Sequence, residues 1–128
     1  MIVNRERKQK VFILEGEDES SLFLSAIPKK DIAKLKDTVI AISMTEDEDG
    51  ARDIKLRQNT FEYELVKISI TGWSNFWEDE EKTKEFPFNP NSKNIDVVLD
   101  NLDAPSWEKL IDTCKTLSGV RSLTEDQG

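Results

Sequence analysis

The chain has 128 residues, the usual size of one domain, and carries 18 basic against 26 acidic residues for a formal charge of −8. That balance argues against broad nucleic-acid binding, which needs a basic face for the phosphate backbone. Histidine is absent and cysteine occurs once, at Cys114, which removes the commonest general base, the commonest zinc ligand, every His-containing triad and any internal disulfide.

Residues 1–9 read as a flexible tail. Arg5, Arg7, Lys8 and Lys10 are interrupted by Glu6 and have no interleaved aromatic residue, the pattern of solvated charge. No run approaches the ~20 apolar residues of a membrane span, and no apolar stretch follows the basic start as in a secretion signal. The expectation is a protein that stays in the compartment where it is made. A lone cysteine fits a reducing cytosol.

Residues 10–27 form the first predicted element, a β-hairpin. Val11–Glu15 and Ser21–Ile27 are short apolar-rich runs around Gly16-Glu17-Asp18-Glu19-Ser20, a turn-forming composition. Val11, Ile13, Leu22 and Leu24 are assigned to the buried face. Phe12, Leu14 and Phe23 leave the other face apolar as well, so the ribbon calls for cover on both sides or for a partner.

A helical part is predicted over 28–119. Pro28 suits a helix start because its missing N–H costs nothing in the first turn. Ile32, Leu35 and Val39 then recur at three- and four-residue steps, predicting a short amphipathic helix ending near Val39, with Ile40–Met44 either extending it or forming a strand. Thr45–Asp53 reads as a polar acidic loop. An EF-hand register with Gly50 sixth puts Thr45 first and Leu56 twelfth, so both essential carboxylates are missing.

The strongest helix is predicted over Asp53–Thr71, with Ile54, Phe61, Leu65, Val66 and Ile68 on its apolar face, and Tyr63 and Ile70 flanking it. Gly72 reads as its left-handed stop and Trp73 as a residue packing back on the last turn. Glu78-Asp79-Glu80-Glu81, with Glu85 beyond, reads as an exposed acidic turn, since consecutive carboxylates rarely converge on a metal. Asn94 begins a further helix with Ile95, Val98, Leu99 and Leu102 on one side. Asp103 or Ser106 caps the last helix, and Pro105 sits in its first turn. Trp107, Leu110, Ile111, Cys114 and Leu117 form its apolar stripe, and Gly119 closes it. Residues 121–128 read as a second flexible tail.

These elements make one domain of α+β class, mostly helical, with an N-terminal β-hairpin packed on about four α-helices. No catalytic residue, metal site or cofactor site is assigned. Cys114 reads as a buried, inert thiol on an apolar stripe, with no histidine to activate it. Lys109 and Lys115 read as solvent-side charges. Trp73 is assigned to the core, and Phe76 and Trp77 either to the core or to an interface.

The order of these features resembles that of small tailed-phage proteins of the tail assembly chaperone type. The matching pieces are the hairpin VFILEGEDESSLFLSAI, the Pro-started PKKDIAKL, the Gly-Trp ending ELVKISITGW and the acidic EDEEKTKE. They are followed by the Pro-Phe step in FPFNPNSKNIDVVLDNL and the closing WEKLIDTCKTLSGVRSLTED. The chain departs from the pattern between Glu80 and Lys84, where a longer, glycine-free turn replaces an Asp-Gly-type one. The resemblance implies a non-catalytic assembly factor in the host cytoplasm that coats the helical tape measure protein and helps recruit tail tube protein. Phe76, Trp77, Phe86 and Phe88, with Trp107 beside them, are then expected to border the partner groove, with neither nucleic acid nor membrane bound. Self-association stays open. The alternative is a virion structural protein, a head, neck or tail-completion component, assembling by strand and helix contacts.

Overall fold

The computed structural model describes residues 8–16, 19–46, 50–89 and 93–120, with the side chains of 40–57 left out. Strands β1 (Gln9–Ile13), β2 (Ser21–Ser25) and β3 (Ile70–Ser74) form an antiparallel sheet in the order β1-β2-β3. Helices α1 (Lys29–Glu46) and α2 (Gly50–Ser69) lie between β2 and β3, and α3 (Asn94–Asp100) and α4 (Ala104–Ser118) follow. The architecture is α+β, as the sequence predicts, with a third strand added to the hairpin. The expected flexible tails at 1–7 and 121–128 lie outside the described residues; Lys8 and Gln9 are extended backbone leading into or within β1.

The third strand replaces the expected end of the long helix. Ile70 and Trp73 are both buried and stand three residues apart, a helical spacing. In a regular strand that spacing sends side chains to opposite faces. Here the register slips between Phe23 and Leu24: Leu22 pairs with Trp73 and Leu24 with Ile70. This irregularity absorbs one residue, so both large side chains turn inward. Gly72 is therefore no left-handed stop. It sits in mid-strand opposite Phe23, and a Cβ there would lie 3.1 Å from that ring. The ring occupies the space a side chain would need.

The hairpin face is also corrected in β1. Phe12 pairs with Leu22 and Val11 with Phe23, so Phe12 shares the inner face with the buried Leu22 and Leu24. Val11 and Ile13 point outward instead, 53% and 64% exposed. One residue of register decides this, because side chains alternate strictly between faces.

Pro28 sits just ahead of α1, and its carbonyl accepts from Asp31 N–H at 3.0 Å and Ile32 N–H at 3.1 Å. The helix continues past Val39 to Glu46, and α2 already begins at Gly50. The polar loop is thus shorter than Thr45–Asp53. On α2, Phe61, Leu65 and Val66 are buried, whereas Ile68 is 44% exposed; the Ile54 side chain lies outside the described residues. Leu102 falls just beyond α3 rather than on it.

Asp103 caps α4, its carboxylate accepting from Ser106 N–H at 2.8 Å. Gly119 ends it at φ 67°, a left-handed conformation that glycine adopts without steric cost. Leu110 and Cys114 are wholly buried against Leu22, Leu24, Val66 and Trp73, with Ile95, Val98 and Leu99 from α3 in the same cluster. A second cluster joins α1 to α2 through Ile27, Ile32, Val39, Phe61 and Leu65. Lys115 is not a plain surface charge: it pairs with Glu62 at 3.3 Å, both side chains being largely buried.

Candidate functional site: an open groove with an acidic rim

Beyond β3 the chain folds back on itself. Phe86 N–H donates to the Phe76 carbonyl at 2.7 Å and Glu78 N–H to the Lys84 carbonyl at 2.9 Å, with Trp77 bridged to Glu85 between them. This ribbon stands where the acidic turn is expected. Asp79 organises its tip, accepting from Thr83 N–H at 3.0 Å and Lys84 N–H at 3.1 Å, and from the Thr83 hydroxyl. These donors hold the Asp79 carboxyl below the usual carboxylate range, the Thr83 hydroxyl contributing most. Lys82 takes a positive φ of 57° in the tip, the work a glycine does in a shorter turn.

Trp73 anchors the ribbon to the sheet. Its indole N–H donates to the Phe86 carbonyl at 2.7 Å. Its ring lies 5.6 Å from Phe76, 6.0 Å from Phe86 in a stacked arrangement, and 5.0 Å from Phe88 edge-on. Such pairs add roughly 0.5–1.5 kcal/mol each beyond their buried area. Trp73 is core, as expected, and it fixes the aromatic residues around it.

Between the ribbon, the end of β1 and the outer side of α3 runs an open groove of about 1040 Å³. Leu14, Phe76, Trp77, Phe86, Val97, Val98 and Leu102 supply its apolar lining, and Glu78, Asp79 and Glu80 stand along one side with Lys82. A smaller hollow shares Leu14, Ser20, Asn101 and Leu102 with it and adds Glu15, Glu19 and Asp103. The two adjoining hollows therefore mix apolar side chains with polar ones, and carboxylates stand beside each. Val97 is 46% exposed within it.

Three of the five residues expected to border a groove do so: Phe76, Trp77 and Phe86. Phe88 is instead committed to Trp73. Trp107 packs on Tyr63 at 5.8 Å and lies outside the groove lining. Leu14, Val97 and Leu102 line the groove without being expected there. Leu14 has a signal as an apolar residue on the hairpin's uncovered face, and Val97 as one off the Ile95-Val98-Leu99 stripe of α3.

Two further polar features are structural. Asp96 on α3 receives the Tyr63 hydroxyl at 2.5 Å and pairs with Lys67 at 3.2 Å, tying α3 to α2. Cys114 is buried, and its thiol is pushed up to about 12 by burial, which keeps it protonated and unreactive. Among the described residues, no three acidic or cysteine side chains come together to hold a metal ion, and no helix is long and apolar enough to cross a membrane. Comparison with family models, curated proteins and solved structures gives no match to this chain.

Proposed function

We propose that this protein is a non-catalytic phage assembly factor of the tail assembly chaperone type. On this reading it holds a helical segment of the tape measure protein and aids assembly of tail tube protein in the host cytoplasm. The supporting observation is the groove: it is open to solvent, offers apolar side chains including Trp77 and Val97, and has carboxylates beside them. An amphipathic helix laid in such a groove buries its apolar stripe. Basic residues flanking that stripe meet Glu78, Asp79 and Glu80, with Glu15 and Glu19 in the adjoining hollow. The remaining negative surface keeps loaded and empty molecules apart.

The test is co-expression with the tape measure protein of the same genome, followed by measurement of its soluble fraction. The wild-type chain is expected to raise that fraction severalfold. Trp77→Ala combined with Val97→Asp is expected to abolish the gain while circular dichroism of the variant stays unchanged. Equal solubility with and without the chain, or full activity of the double variant, overturns the reading.

The outward-facing Val11, Ile13 and Phe23 favour a second reading, a virion structural protein of the head, neck or tail-completion kind that assembles through its sheet. Mass spectrometry of purified particles separates the two. A fixed copy number in the virion supports the structural role, and absence supports the chaperone.

A further inference from the structure

Val11, Ile13 and Phe23, 53%, 64% and 38% exposed, lie on the sheet face opposite Leu22 and Leu24. The cross-strand pair Val11–Phe23 continues onto Gly72, so they line one row and its flank. Among the described residues, β1 is also an edge strand. Ala26 N–H donates to the Lys8 carbonyl at 2.7 Å and Leu14 N–H to the Ser20 carbonyl at 2.8 Å. Antiparallel ladders alternate between bonded and non-bonded pairs. The even-numbered residues of β1 therefore bond to β2, and Gln9, Val11 and Ile13 turn their N–H and C=O groups to the open edge. An edge of that kind is a template for another strand.

We infer that the strand completing this edge is β1 of a second copy, running antiparallel about a two-fold axis through Val11. The outward-facing positions are symmetric about Val11. With Val11 opposite Val11 of the second copy, Gln9 falls opposite Ile13, and all the outward groups of both strands find partners at once. A slip of one residue in the pairing sum would face outward-turned residues with inward-turned ones. Charge selects the same direction. The leading end of the strand is basic, with Lys8 and Lys10, and just past its far end stands the exposed Glu15, which Lys109 also reaches at 3.3 Å. Antiparallel pairing lays each basic end beside the other copy's acidic end, whereas parallel pairing sets like beside like.

The product is one continuous sheet made from two copies of the three-stranded one. The Phe23–Val11 row runs on into its counterpart, so each valine gains an apolar neighbour across the new seam. The isologous contact closes on itself and leaves no growing end at β1. The groove beside α3 meets this edge at Leu14 and Glu15, and the backbone pairing over Gln9–Ile13 uses neither.

Two substitutions at Val11 test the geometry. Opposed Val11 positions stand ~5.5 Å apart between Cα atoms, inside the ~4.4–6.8 Å reach of a disulfide. The native Cys114 is buried, so Val11→Cys is expected to give a cross-linked dimer under mild oxidation. Gln9→Cys, which faces Ile13 of the other copy, is expected to give none. Val11→Pro removes an N–H that β2 does not use, so the subunit keeps its circular dichroism. It is expected to weaken the dimer by roughly tenfold or more, since symmetry removes two hydrogen bonds. Sedimentation equilibrium reads the result. A monomeric wild type, cross-linking of Gln9→Cys as fast as Val11→Cys, or an undiminished Val11→Pro dimer would each overturn the inference.

Discussion

Asp96 shows how much one half-buried carboxylate organises. The Tyr63 hydroxyl first, and Lys67 second, hold it below the usual carboxylate value of 3.8. In return, burial and the Asp96 contact push the Tyr63 hydroxyl up, well beyond physiological pH. A carboxyl depressed in the folded state contributes stability that is complete above its unfolded value and is lost as pH falls through the folded one. Asp96→Asn is thus expected to lower the melting temperature at neutrality. The gap to wild type should narrow as pH drops toward and below 3.8. Thermal melts of both proteins across that range check this, and a constant gap would show that Asp96 acts through packing alone. None of this was legible beforehand, because Tyr63 and Asp96 belong to different helices and no local pattern joins them.

At the scale of elements, local chemistry was easy to read where it acted locally. Asp103 and Gly119 bound α4 as expected because capping needs only a few consecutive residues. The order of β1, β2 and the helices followed from hydrophobic period. β3 did not, since the irregularity opposite Leu24 gives a strand the apolar spacing of a helix. The face of β1 was missed for a related reason: its run is apolar on both sides, so register alone decides which side is buried. Of the groove, the aromatic residues were legible as candidates, while the pairing that gathers them with Val97 and Leu14 depends on contacts remote in sequence. The ribbon from Phe76 to Phe86 depends on Asp79 at its tip. Asp79→Ala is expected to speed amide exchange at Glu78 and Phe86 and leave that of α4 unchanged. Unaltered exchange at Phe86 would mean that Trp73 alone holds the ribbon.

For the whole molecule, α4 is the helix that joins α2 to the β1–β2 side of the sheet. Leu110 is fully buried among residues of β2, β3, α2 and α3, so Leu110→Ala is expected to destabilise the fold by ~2–5 kcal/mol. Chemical denaturation measures the loss; a change under ~1 kcal/mol would place the centre of the core elsewhere. The sheet order carries a different consequence, for the time course of folding. β2 and β3 are neighbours in space, yet α1 and α2 intervene in the chain. Closing so long a segment before any helix forms loses much chain entropy. The two helices bring its ends together once they dock through Val39, Phe61 and Leu65. The β1–β2 hairpin and the α1–α2 pair can each form early from nearby residues, and the strand carrying Gly72 and Trp73 is expected to join last. The ribbon beside the groove is anchored to that strand through Trp73 and the Phe86 carbonyl, so the groove is expected to form only once the strand has docked.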